Sequence, residues 1–148
     1  MVVFSLGIIH LLIQSFTLFV TTVSNFEDLE IWQHARRQAN EIYQLYSVEP
    51  FSRDWELRNQ INAASGSVMD NIAEGFERSG NKEFINFLLI AKGSNGEVRS
   101  QRWRAHDRNF ITVEKFEELK SGCILLRKKI TSFIKYLKDS EQKGIRYS

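Results

Sequence analysis

Helix breakers are scarce in this chain of 148 residues, which holds one proline, Pro50, and eight glycines. Proline removes a backbone donor and glycine costs about 1 kcal/mol inside a helix, so their scarcity leaves room for long uninterrupted helices. Sustained strict alternation of apolar and polar residues, the mark of half-buried strands, is missing. Cys123 is the sole cysteine, which excludes an internal disulfide and any multi-cysteine zinc site. It falls in an apolar helical stripe and reads as a small core residue, not a nucleophile. Catalytic signatures are missing as well. None of His10, His34 and His106 follows a glutamate by three, as carboxylate-bridged di-metal bundles require. There is no His-Glu-x-x-His, no Gly-x-x-x-x-Gly-Lys, no Gly-x-Gly-x-x-Gly and no Gly-x-Ser-x-Gly. Nothing asks for a metal, a cofactor or a small-molecule substrate, and the chain reads as a non-enzyme.

The stretch Met1 to Val23 has no Asp, Glu, Lys or Arg, and 15 of its 23 residues are apolar. It nearly meets the length of a membrane anchor, about 20 apolar residues, but His10 and Gln14 fall near its middle. A secretory signal opens with a basic residue, and here the first is Arg36. The acidic flank Glu27, Asp28, Glu30 gives no positive-inside cue. Anchor, signal peptide and a translation start downstream of the leader stay open, and the lack of flanking charge favours the last. Residues 1–24 are set apart from a bundle over 25–139 and a polar tail over 140–148, expected to fray.

Asn25 reads as an N-cap, with Glu27 and Asp28 in the first turn. The first helix then carries Leu29, Trp32, Ala35, Ala39, Ile42 and Tyr46 on one side. After the turn around Pro50, Ser52 is the expected cap of a second helix with Leu57, Ile61, Ala64, Val68, Ile72 and Phe76 on one face. Ser79-Gly80-Asn81 breaks it, and Asn81 starts a third helix with Phe84, Phe87, Leu88, Ala91 and Val98. Thr112 caps the fourth, where Phe116, Leu119, Cys123, Leu126, Ile130, Phe133 and Leu137 alternate steps of three and four, a heptad seam. Long helices joined by short turns fold back on their neighbours. The expected fold is all-α, an antiparallel up-down-up-down four-helix bundle.

Asn71, Glu74 and Arg78 share a helical face, Arg78 follows Glu74 in the favourable order for a charged pair, and Gly75 offers no side chain. Together they suggest a hydrogen-bonded contact between helices or subunits, or else a ligand contact. The run Leu57 to Gly75, ending Asn71-Ile72-Ala73-Glu74-Gly75, joins Phe26-x-x-Leu29-x-x-Trp32 and Glu83-Phe84…Phe87-Leu88…Ala91-Lys92-Gly93-Ser94. These resemble the four-helix-bundle 23S rRNA intervening-sequence protein family, or S23 family, over about Asn25 to Lys138. The resemblance implies a small cytoplasmic bacterial protein whose relatives form homopentameric rings. It also implies kinship with accessory proteins that bind a reverse transcriptase and nucleic acid. Asn95 and Gly96 depart from the family pattern, which has an apolar and a small residue before Glu97. They are expected to weaken the third helix and to polarise a packed position.

Charge is unevenly spread. Phe26 to Val98 has 7 Lys+Arg against 12 Asp+Glu, a net of −5, and Arg99 to Ser148 has 13 against 6, a net of +7. Such asymmetry points to an anionic partner or to head-to-tail self-association. In the third helix Arg99, Arg102 and His106 fall on one face, and Arg104 and Arg108 form a second row. In the fourth, Lys120, Arg127, Lys135 and Lys138 share a face with Lys128 beside it. Trp103 among the arginines could stack on a base. The leading expectation is a homo-oligomeric scaffold, pentamer-like, whose repeated patch binds RNA or DNA backbone without base specificity. The alternatives are a protein adaptor with no nucleic-acid role and a membrane-tethered bundle.

Overall fold

The structure, a computed structural model, describes residues 23–78 and 80–142, with side chains to Ser140. Apart from Val23 and Ser24, the apolar leader lies outside the described residues. The described residues form four α-helices: α1 (Glu30–Tyr46), α2 (Trp55–Glu77), α3 (Asn81–Asp107) and α4 (Val113–Gln142). Short 3-10 turns at Phe26–Asp28 and Phe51–Arg53 precede α1 and α2.

Most of the expected stripe residues, with Ile31, Ile85 and Ile134 added, form the core, in two clusters along the bundle axis; Ala39 and Phe87 are only partly buried and stand outside both clusters. At one end Leu29, just before α1, and Ile31 and Ala35 of α1 meet Ile72, Leu88, Ile130 and their neighbours. At the other, Ile42 and Tyr46 meet Leu57, Ile61, Val98 and Phe116. Each fully buried Leu or Ile contributes roughly 1.5–3 kcal/mol of transfer free energy.

Hydrogen bonds between helices set direction and register. Along α3, Asn81, Asn95 and Arg102 donate to the carbonyls of Leu137, Cys123 and Phe116 of α4. Each advance of seven or fourteen residues on α3 is met by the same retreat on α4, an antiparallel heptad register. Between α2 and α3 the pairs Asp54 with Arg108, Gln60 with Arg104 and Ser67 with Ser94 likewise run in opposite directions.

Helix ends differ from expectation. Asn25 leads only into a 3-10 turn, its side chain reaching Asp28 instead of a free N–H, so α1 begins at Glu30. Ser52 lies within the second turn, and Asp54 caps α2 by accepting from Leu57 N–H at 3.0 Å. Asn81 starts α3 as expected, behind Gly80 at φ +107°; it is buried and donates to the Leu137 carbonyl at 3.4 Å. Thr112 does cap α4, accepting from Lys115 N–H at 3.2 Å. α4 continues through Ser140 to Gln142, so the start of the supposed tail is helical.

Asn95 and Gly96 do not interrupt α3, which is unbroken from Asn81 to Asp107. Only 1% exposed, Asn95 accepts from Gln38 Nε2 at 3.1 Å and donates to the Cys123 carbonyl at 2.8 Å. A buried amide paired on both sides meets the requirement that desolvated polar groups be hydrogen-bonded. With Ser67 and Ser94, joined oxygen to oxygen at 2.9 Å, it forms a polar layer between the two apolar clusters.

Candidate nucleic-acid interface

The motif Asn71 to Arg78 closes the α2–α3 hairpin. Asn71 Nδ2 donates to the Ser67 carbonyl at 2.7 Å and to its hydroxyl at 3.1 Å, steadying the serine that meets Ser94. A Cβ on Gly75 would lie 2.7 Å from Phe87 Cβ and 2.8 Å from Phe84 Cδ2, so only glycine lets α3 come this near. Arg78 then bridges Glu83 of α3, at 2.8 Å, and Glu74 of α2, at 2.6 Å, above the Phe87 ring. Those two carboxylates, Glu83 first, hold the Arg78 guanidinium above its ordinary value. The motif's side chains are thus engaged within one chain.

The basic candidates separate into three groups. Arg104 and Arg108 do not form a free row. Arg104 pairs with Glu56 at 3.7 Å and donates to Gln60, and Arg108 pairs with Asp54, so both clamp α3 to α2. Arg102 is not a surface cation. It is 2% exposed, donates to the Phe116 carbonyl at 3.2 Å, and lies 4.1 Å from the Phe116 ring centroid. Burial pushes its guanidinium below its ordinary value, and Arg99 nearby adds to the effect.

The third group faces outward. Arg127, Lys128, Lys135 and Lys138 are exposed, and among the described residues none of the four makes an ion pair. Arg99 is half-buried and also unpaired, while Lys120 is held by Glu117 at 3.0 Å. The antiparallel register brings Arg99 level with Leu119 and Lys92 level with Leu126, so Lys120 and Arg127 come opposite them along the solvent side of the α3–α4 seam. Lys92 escaped the sequence reading, although Lys92, Arg99 and His106 are seven apart and therefore share a helical stripe. Trp103 stands at the same seam, 51% exposed, its ring edge-on to Phe116 at 4.5 Å.

The other flank of α4 differs in character. Against α1 it has a mainly apolar groove of about 630 Å³, lined by Val23, Leu29, Ile31, Phe133 and Tyr136 with charged residues around them. Beside it lies a groove of about 700 Å³ that includes Glu41, Glu114, Glu117 and Glu118. No group of three or more metal-ligating side chains occurs among the described residues. Cys123 is fully buried, and burial pushes its thiol up to about 11. No helix of the described residues is long and apolar enough to cross a membrane.

The family model of the 23S rRNA-intervening sequence protein matches residues 27–132. A crystal structure of a protein of unknown function from the S23 ribosomal protein family of Bacteroides thetaiotaomicron superimposes with a TM-score of 0.65 at 23% identity. The match covers 71% of this chain and 98% of that one, and at such identity it speaks for the fold. No curated protein matches the chain.

Proposed function

The chain belongs to the 23S rRNA-intervening sequence protein family, and from that premise we propose a non-enzymatic, homo-oligomeric scaffold that binds RNA or DNA through its phosphate backbone. The observation that carries the reading is the α3–α4 flank. Arg99 and Arg127 lie along the seam, and Lys128, Lys135 and Lys138 are exposed on the same helix as Arg127. None of the five has an ion pair among the described residues, and Trp103 is exposed at the seam. Cations that are not already neutralised release counterions when they meet phosphates. Repetition of such a flank in an oligomer, a pentameric ring by the family resemblance, multiplies the phosphates met at once.

The test is a titration of the full-length protein with single-stranded RNA at two salt concentrations, alongside its mass in solution. Five phosphate contacts give a slope of roughly −3.5 in log affinity against log salt, so a fourfold rise in salt lowers affinity by about a hundredfold. A monomer that ignores RNA, or an affinity flat with salt, overturns the proposal. A second reading, a protein adaptor, is favoured by the apolar and acidic grooves between α1 and α4. It calls for binding that resists salt and is indifferent to RNA.

A further inference from the structure

Five buried side-chain atoms lack a hydrogen-bond partner among the described residues, and four of them lie between positions 99 and 106: Arg99 Nε, Gln101 Oε1, Arg102 Nε and His106 Nδ1. The three nitrogens belong to residues spaced three and four apart, hence to one face of α3. Two of them, Arg102 and His106, pack on Phe116 of α4 together with Trp103, and Arg99 lies near enough to Arg102 to act on its charge. The His106 ring stacks on the Phe116 ring with centroids 4.4 Å apart, the Arg102 guanidinium lies 4.1 Å from the Phe116 centroid, and Trp103 meets that ring edge-on. No carboxylate forms an ion pair with Arg99 or Arg102 among the described residues. Two neighbouring guanidiniums, one of them 2% exposed, are therefore left with unpaired Nε–H donors, and the carboxylate that acts on Arg102 from a distance, Glu117, is ion-paired with Lys120 instead. A buried charge in that condition is costly, and an added anion relieves it.

We infer that Arg99, Arg102 and His106 form a socket for a single phosphate group, with Arg99 at its rim, Arg102 and His106 as its floor, and the Trp103 ring as a platform for the adjoining base. Guanidinium forks match phosphate oxygens in pairs, and an indole face accepts any base. The socket deepens the nucleic-acid reading by naming where one backbone phosphate is fixed, and it rests on that reading for its biological ligand. Its chemistry is that of any phosphate, free or esterified, so it can be tested apart from RNA.

Calorimetric titration of the full-length protein with inorganic phosphate in a low-salt chloride buffer, followed by titration with single-stranded RNA, separates the two. The comparison uses Arg99→Gln and Arg104→Gln, which remove the same charge from the same helix inside and outside the socket, and Arg102→Gln where it folds. The expected result is saturable phosphate uptake by wild type and R104Q, weakened about tenfold or more in R99Q at unchanged melting temperature. Equal weakening in R99Q and R104Q would reduce the site to diffuse charge and overturn it. RNA binding without phosphate uptake overturns the socket and leaves the scaffold reading standing. Phosphate uptake without RNA binding upholds the socket and defeats the scaffold reading.

Discussion

Gly75 and Gly93 both lie inside helices, and their surroundings assign them opposite effects. The space a Cβ would need at Gly75 is filled by Phe84 and Phe87 of α3, while nothing lies within 4 Å of the same point at Gly93. Gly75→Ala is expected to push the hairpin apart and lower stability by about 1–3 kcal/mol. Gly93→Ala is expected to raise it by roughly 0.5–1 kcal/mol, because alanine loses less backbone freedom in a helix. Urea unfolding of the two variants checks both signs, and a neutral Gly75→Ala would mean that the helices can separate at little cost. Cys123 gives a second residue-scale prediction. A thiol buried completely and raised to about 11 is almost wholly protonated at neutral pH, and it is the thiolate that reacts. Ellman's reagent should therefore label Cys123 only as fast as the bundle opens, and denaturant should speed the labelling in step with unfolding.

At the scale of the element, the start of α2 depends on Asp54. Its carboxylate accepts the Leu57 N–H and also meets Arg108, and these interactions, the backbone bond foremost, hold it below its ordinary 3.8. A carboxyl with a depressed folded-state value stabilises the fold above its unfolded value, and that contribution disappears as pH falls through the folded-state value. Asp54→Ala should thus cost about 1 kcal/mol at neutral pH. The difference from wild type should shrink as the pH drops below 3.8, and urea midpoints measured across that range test it. The same helix shows what the sequence can and cannot carry. Leu57, Ile61, Ala64, Val68 and Ile72 are legible because burial demands a fixed spacing, and all five are buried. Ser52 and Asp54 are both good caps two residues apart, and the 3-10 turn Phe51–Arg53, which takes in Ser52, leaves the role to Asp54. Asn95 looked like a defect for a related reason: its partner Gln38 is 57 residues away, beyond the reach of local pattern. In the basic region, spacing put Arg102, Arg104 and Arg108 on helical faces without telling which neighbouring helix covers each face.

For the whole molecule, what matters is how the charge is distributed between the two flanks of α4. Lys129 pairs with Glu30 of α1 at 2.5 Å, whereas Arg127, Lys128, Lys135 and Lys138 are exposed and have no ion pair among the described residues, Lys128 standing at the edge of the α1 groove. Substituting those four with glutamine should leave the fold nearly untouched, since each is exposed and unpaired, with changes within about 0.5 kcal/mol per site. If the flank binds nucleic acid, the same variant should lose up to about 2.8 from the slope of log affinity against log salt, roughly 0.7 for each phosphate contact removed on single strands. Lys129→Gln removes one charge that Glu30 already neutralises and should leave that slope alone. Net charge alone would make the five substitutions equivalent, each lowering affinity by a similar step. A surface that tracks the backbone makes four of them matter and the fifth not, so comparing salt slopes between K129Q and the fourfold variant decides whether the basic half acts as a site or as bulk charge.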